Sequence, residues 1–176
     1  MHPSPCLEQM LGSLERCRGP ARVLDLGPAE EATLSFLGDR HLEMHVASLD
    51  PDPAGRVKLP EYDAGAFRAI LGWDFLLRVE AGARPKLAQA LSRWLAPAGD
   101  LLLVLPISTV RRPMAFRFRV QGPSALEYRP VGPLVGGSIL TTREVLSLFP
   151  DLEGNGARIL RHGAREFLLH RPAEEA

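Results

Sequence analysis

The sequence predicts an α/β fold in which a mostly parallel sheet ends in an antiparallel hairpin. Two observations carry that expectation. Through the first 106 residues, strand-length apolar runs alternate with stretches whose apolar positions recur every three or four residues, the order that places parallel strands under covering helices. Near the C-terminus, the runs 157–161 and 166–170 flank Gly163 closely enough to pair with each other directly. With 176 residues, 45% of them hydrophobic and 24% charged, the chain suits one domain with a sizeable core.

The elements follow in order. Leu7, Met10, Leu11 and Leu14 share one helical face, so residues 5–18 are expected to form an amphipathic helix stopped by Gly19 and Pro20. Residues 22–26 read as a short buried strand. Pro28 suits a first helical position and Glu30 and Glu31 suit a first turn, which predicts a helix over 28–37 ended by Gly38. A second strand over 42–49 gives way to loop where Asp50, Pro51, Asp52, Pro53 and Gly55 break the pattern. Residues 67–73 form a third strand. Leu87, Leu91, Trp94 and Leu95 define a helix over 85–95, and 101–105 form a fourth, wholly apolar strand after a turn at Pro97, Ala98 and Gly99.

Beyond Pro106 the period changes to two. Phe116, Phe118 and Val120 alternate with Arg117 and Arg119 over 114–120, a half-exposed strand expected to pair antiparallel with 126–129 and to carry its arginines on the solvated face. Thr141 and Glu144 have capping-box spacing for a helix that starts at Thr142 and ends near Pro150. The segment 123–137 is a Pro- and Gly-rich connection, and 172–176 is a frayed tail. Residues 1–176 therefore read as one domain: an N-terminal helix within 1–20, a core over 21–106, and C-terminal strands and a helix over 107–171.

Charge and composition exclude several classes. Lysine plus arginine equal aspartate plus glutamate at 21 each, so no net field draws the chain to nucleic acid or to an anionic membrane. No apolar run approaches the ~20 residues that span a bilayer, and the N-terminal residues lack the basic and apolar regions of a secretory signal. The expectation is a cytoplasmic protein without nucleic-acid or membrane partners. Cys6 and Cys17, eleven positions apart on the first expected helix, lie roughly 16 Å apart at its rise and cannot bond each other. His41 and His45 share a face of the second expected strand, but no third ligand accompanies them, and they read as core-edge histidines. No nucleophile elbow, Cys/His pair or paired-carboxylate motif supports a hydrolase.

Three segments in this order, V-L-D-L-G at 23–27, F-R-A-I-L-G-W-D at 67–74 and W-L-A-P-A-G-D-L-L-L-V at 94–104, resemble the class I S-adenosylmethionine-dependent methyltransferases over roughly residues 21–171. The resemblance implies a Rossmann-like methyltransferase fold that binds S-adenosylmethionine across the C-terminal ends of the strands. Asp25, Gly27 and Pro28 would then form the corner for the methionine part, with helix N–H groups facing its carboxylate. Asp50 would take the ribose hydroxyls, and Trp73 and Asp74 would lie beside the donor. The acceptor, a small molecule or a protein, is not implied. On the residues themselves, Asp25 equally serves to bond loop amides at the corner, Gly27 to allow a tight turn, and Asp50 to start a turn before Pro51.

Two departures bear on activity. The family's corner carries further glycines where this chain has Ala29 and Glu31, and Glu30 and Glu31 in a helix's first turn would repel an incoming carboxylate. Only sixteen residues separate Asp50 from Phe67, whereas a full strand-helix-strand unit needs ~30, so one strand-helix unit of the sheet is reduced. Methyl transfer from S-adenosylmethionine is the leading functional expectation. The alternative is a catalytically inactive methyltransferase-like binding or partner-subunit module. A nicotinamide-dependent oxidoreductase would carry a G-x-G-x-x-G corner that this chain lacks.

Overall fold

The computed structural model describes residues 1–17, 19–47, 49, 52, 56–107, 114–134, 139–154, 156–160 and 163–173. Asp50, Arg111, Arg112 and the end of the tail lie outside the described residues, as do the last positions of the 123–137 connection. In chain order the elements are β1 (His2–Pro3), α1 (Pro5–Glu15), β2 (Arg22–Asp25), α2 (Glu31–Gly38), β3 (Glu43–Val46), β4 (Phe67–Trp73) and α3 (Phe75–Arg78). A 3-10 turn at Ala81–Ala83 leads into α4 (Arg84–Trp94), followed by β5 (Leu95–Pro106), β6 (Met114–Gly122), β7 (Ala125–Pro133), α5 (Thr142–Leu148), β8 (Glu153–Gly154), β9 (Arg158–Ile159) and β10 (Ala164–His170).

The main sheet has the order β3-β2-β4-β5-β10-β8, with β9 also on β10. Its first four strands are parallel, and β10 runs antiparallel to β5 from Ala164 opposite Pro106 to His170 opposite Asp100. This is the expected parallel sheet with an antiparallel C-terminal hairpin, in which β9 and β10 pair at Arg165 opposite Ile159. The reduced unit is visible as well. The described residues between β3 and β4 contain no helix or strand, and Val57, Leu59 and Tyr62 pack against the core there instead. Tyr62 sits edge-on to Phe67 at 4.8 Å and to Trp94 at 5.2 Å, so side chains of a plain loop cover this part of the sheet.

Alternation along the strands sorts side chains to two cores. Leu24, Phe67, Ile70, Leu101, Leu103 and Leu105 face α3, α4 and α5. Val23, Ala69, Leu71, Trp73, Leu102 and Val104 face α1 and a second, three-stranded antiparallel sheet of order β1-β7-β6. The 114–120 and 126–129 runs do pair antiparallel, and they do so over the second core rather than as an extension of the main sheet.

Several expected boundaries move for identifiable reasons. The first helix stops at Glu15, three residues short. The second starts at Glu31, not Pro28, because Glu30 keeps an extended backbone (φ −112, ψ 118) as its cap. His41 is not on a strand face; it occupies the turn before β3 with φ 58. The turn expected at 97–99 persists as a kink inside β5, where Ala98 has φ 56 and a Cβ on Gly99 would lie 2.8 Å from the Ala96 carbonyl oxygen. Among the described residues, no helix is long and apolar enough to cross a membrane.

Candidate functional site

Parallel pairing of β2 with β4 sets Asp25 opposite Leu71, so both strands end at the same edge of the sheet. Strand β4 then departs from regular geometry. Its register on β5 shifts between Leu71 and Trp73, and Trp73 adopts φ 47, a left-handed conformation that is rare for a bulky side chain. The indole faces the second core, where its Nε1–H donates to Asp25 Oδ1 at 2.6 Å. The Gly27 amide donates to the same oxygen at 2.8 Å. A Cβ on Gly27 would lie 3.0 Å from both Asp25 Oδ1 and Trp73 Nε1, so this side-chain approach by itself disfavours a larger residue there.

Asp25 is 3% exposed, and burial pushes its carboxyl up to about 6 against the lowering effect of the Trp73 and Gly27 hydrogen bonds, with Glu30 raising it further. Phe118 of β6 stacks on the other face of the arrangement, parallel to Trp73 within 6° at 5.0 Å. What remains between Leu26, Gly27, Pro28, Trp73, Asp74 and Phe118 is a cavity of about 10 Å³. That is room for about one water.

Four further ties fix β6 over the corner. Asp74, fully buried, accepts the Arg78 Nε–H at 2.7 Å through one oxygen and the Phe116 N–H at 2.7 Å through the other. Burial raises the Asp74 carboxyl, and the Arg78 charge opposes that rise. Arg78 also donates to the Phe116 carbonyl. The Thr33 hydroxyl accepts the Val120 N–H at 2.9 Å. Glu30 accepts Arg119 at 3.0 Å and pairs with Arg117 at 3.3 Å. The arginines expected on a solvated face therefore neutralise the carboxylate expected to repel a ligand, which leaves Glu31 as the acid of the first turn of α2 without an ion pair among the described residues. Period-two spacing put Arg117 and Arg119 on one face correctly; nothing local in the sequence says that this face meets the start of α2.

No protein-family model matches the sequence, and no curated protein does. Solved structures do match. A Burkholderia thailandensis 1,6-didemethyltoxoflavin N1-methyltransferase, solved with its substrate and S-adenosylhomocysteine, superposes with a TM-score of 0.57 at 12% identity over 97% of this chain and 77% of its own. An S-adenosylmethionine-dependent methyltransferase from Methanosarcina mazei gives 0.57 at 12% identity over 99% of this chain and 100% of its own.

The fold is that of the class I S-adenosylmethionine-dependent methyltransferases.

A [4+2]-cyclase matches at 0.50 with 13% identity over 95% of this chain and 81% of its own, so this methyltransferase-like fold does not by itself fix the chemistry. Within it, the structure brings five of the six expected residues together: Asp25, Gly27, Pro28, Trp73 and Asp74 meet at one corner, and Asp50 lies outside the described residues. Asp25 accepts from both the Gly27 amide and the Trp73 indole, and Phe118 stacks on that indole, so these residues leave little free space between them as they stand. Roomier clefts, of about 910 and 550 Å³, lie away from this corner along α4, beside Leu59, Lys86, Ala90 and Arg93.

Proposed function

We propose that this chain is a catalytically silent methyltransferase-fold module that acts by holding a partner rather than by transferring a methyl group. One observation carries the reading: the carboxylate, amide and indole of Asp25, Gly27 and Trp73 satisfy one another under Phe118 and leave about 10 Å³. Small-molecule sites typically enclose some 300–1,000 Å³. A donor seated in this corner would have to displace a stacked aromatic ring and break two hydrogen bonds to a buried carboxylate. Both steps are unfavourable, and an S-adenosylmethionine carboxylate arriving beside Asp25 adds repulsion.

The fold likeness supports the competing reading, S-adenosylmethionine-dependent methyl transfer to a small-molecule or protein acceptor with Asp25, Gly27, Pro28, Asp50, Trp73 and Asp74 around the donor. Calorimetric titration of the full chain with S-adenosylmethionine and with S-adenosylhomocysteine separates the two. The silent-module reading predicts no binding heat with either; saturable heat at a one-to-one ratio with either compound overturns it.

A further inference from the structure

The loss of the strand-helix unit leaves β3 as the outer strand of the main sheet, with no described strand on its far side. Its backbone hydrogen bonds show which groups face outward. The Glu43 amide donates to Ala21 and the Ala47 amide to Asp25, so residues 43, 45 and 47 turn their amides towards β2. Met44 and Val46, alternating with them, turn theirs away from the sheet. Natural edge strands are blunted by short length, by charge, or by Lys, Pro or a bulge. Strand β3 uses the first two, through its four residues and Glu43. Residues 42–46, Leu-Glu-Met-His-Val, contain no Lys, Pro or bulge, so the outward amides stay available to a partner whose charges match Glu43.

The side chains at this edge complement themselves. Glu43 and His45 lie on one face, 2.8 Å apart and joined by Arg22, and Glu43 is exposed. The half-buried Phe36, Leu42 and Met44 form an apolar strip on the other face. When two copies of such a strand meet antiparallel about a two-fold axis, residues of equal parity must face each other and the outward amides must make the bonded pairs. Centring the axis on any residue from Glu43 to Val46 satisfies both conditions. Centring on Met44 sets Glu43 of each copy opposite His45 of the other, whereas moving one step either way sets Glu43 opposite Glu43 or His45 opposite His45. Of these registers, only the Met44-centred one sets the acid and the imidazole across from each other.

We propose that β3 is a docking edge for a second copy of this chain, paired antiparallel about a two-fold axis through Met44 to make one continuous sheet. The interface is isologous and closes at two copies. It is independent of the donor corner, because none of the side-chain bonds or ring contacts that close that corner involves a side chain of β3.

The test is a register-specific crosslink backed by sedimentation. A bonded antiparallel pair sets its Cα atoms about 5.5 Å apart, inside the range a disulfide needs. In a Cys17→Ser background, Met44→Cys is expected to give a disulfide-linked dimer on mild oxidation, while His45→Cys gives little. In the native sequence, sedimentation velocity is expected to show a monomer–dimer equilibrium. Glu43→Lys, which sets Lys against His45 of the second copy, weakens it at least tenfold, and the swap Glu43→His with His45→Glu restores it. A chain that stays monomeric throughout, a crosslink stronger at His45→Cys than at Met44→Cys, or a dimer indifferent to Glu43→Lys overturns the proposal. Circular dichroism confirms that each variant is folded before it is scored.

Discussion

The indole N–H of Trp73 donates to Asp25 Oδ1 at 2.6 Å across two neighbouring parallel strands, and this one bond links the two segments that most resemble a methyl-donor site. It turns the acid of the first strand into an internal acceptor. Without Trp73 the Asp25 carboxylate would be buried with only the Gly27 amide, so the indole both blocks the corner and makes a charge there tolerable.

That charge has a stability signature. The folded Asp25 carboxyl is pushed up to about 6, above the ordinary aspartate value of about 3.9. Between these values the folded chain keeps a proton that the unfolded chain has released. Asp25 therefore adds stability that is fully present below about pH 4 and is lost as pH rises through 6. Because the two values lie about two pH units apart and the group is buried, the change amounts to about 3 kcal/mol. Denaturant unfolding from pH 4 to 7.5 should show Asp25→Asn gaining relative to the native chain as pH rises. A pH-independent difference between the two would contradict the assignment.

The pairing of Glu30 with Arg117 and Arg119 ties α2 to β6, with the Glu30 side chain only 10% exposed. Glu30→Gln keeps the shape and removes the charge, and should cost about 1.5 kcal/mol, the low end for hydrogen bonds to charged groups because both arginines are part-exposed. The loss should shrink in about 1 M salt, where the native pair is itself screened. Equal unfolding midpoints for the two proteins at low salt would show that the pair contributes nothing.

How much of this was legible in the residues differs by level. Phe67 to Trp73 could be read as one strand because seven residues in a row suit burial on both faces, and its bounds are those observed. Thr141 and Glu144 announced α5 through a cap that forms as expected, each residue bonding the other's backbone. Asp25, Gly27, Trp73 and Asp74 were singled out as neighbours, and they are neighbours. Their use could not be read, because it depends on Phe118 and Arg119 arriving from a hairpin some ninety positions along the chain. The same holds for Ser4, whose hydroxyl and the neighbouring Cys6 amide both bond Glu166.

That last cluster makes a chemical prediction. Burial, reinforced by the Glu166 charge, pushes the Cys6 thiol up to about 12. Since the thiolate is the reacting species, Cys6 should resist alkylation in the folded chain at pH 8. Cys17, half-buried beyond the end of α1, should be modified first. Mass spectrometry after iodoacetamide treatment should find one label under native conditions and two in denaturant. Rapid native labelling of Cys6 would show that the α1 face opens.

The closed corner itself is tested most directly by the indole N–H resonances, of which the chain's two tryptophans give only two. In a nitrogen-15 correlation spectrum, assigned with Trp94→Phe, the Trp73 indole proton should lie downfield, exchange slowly with solvent, and stay unshifted when S-adenosylhomocysteine is added in large excess. A fast-exchanging Trp73 indole, or one that moves as the compound is titrated in, would show that the corner opens to a ligand and would contradict the account.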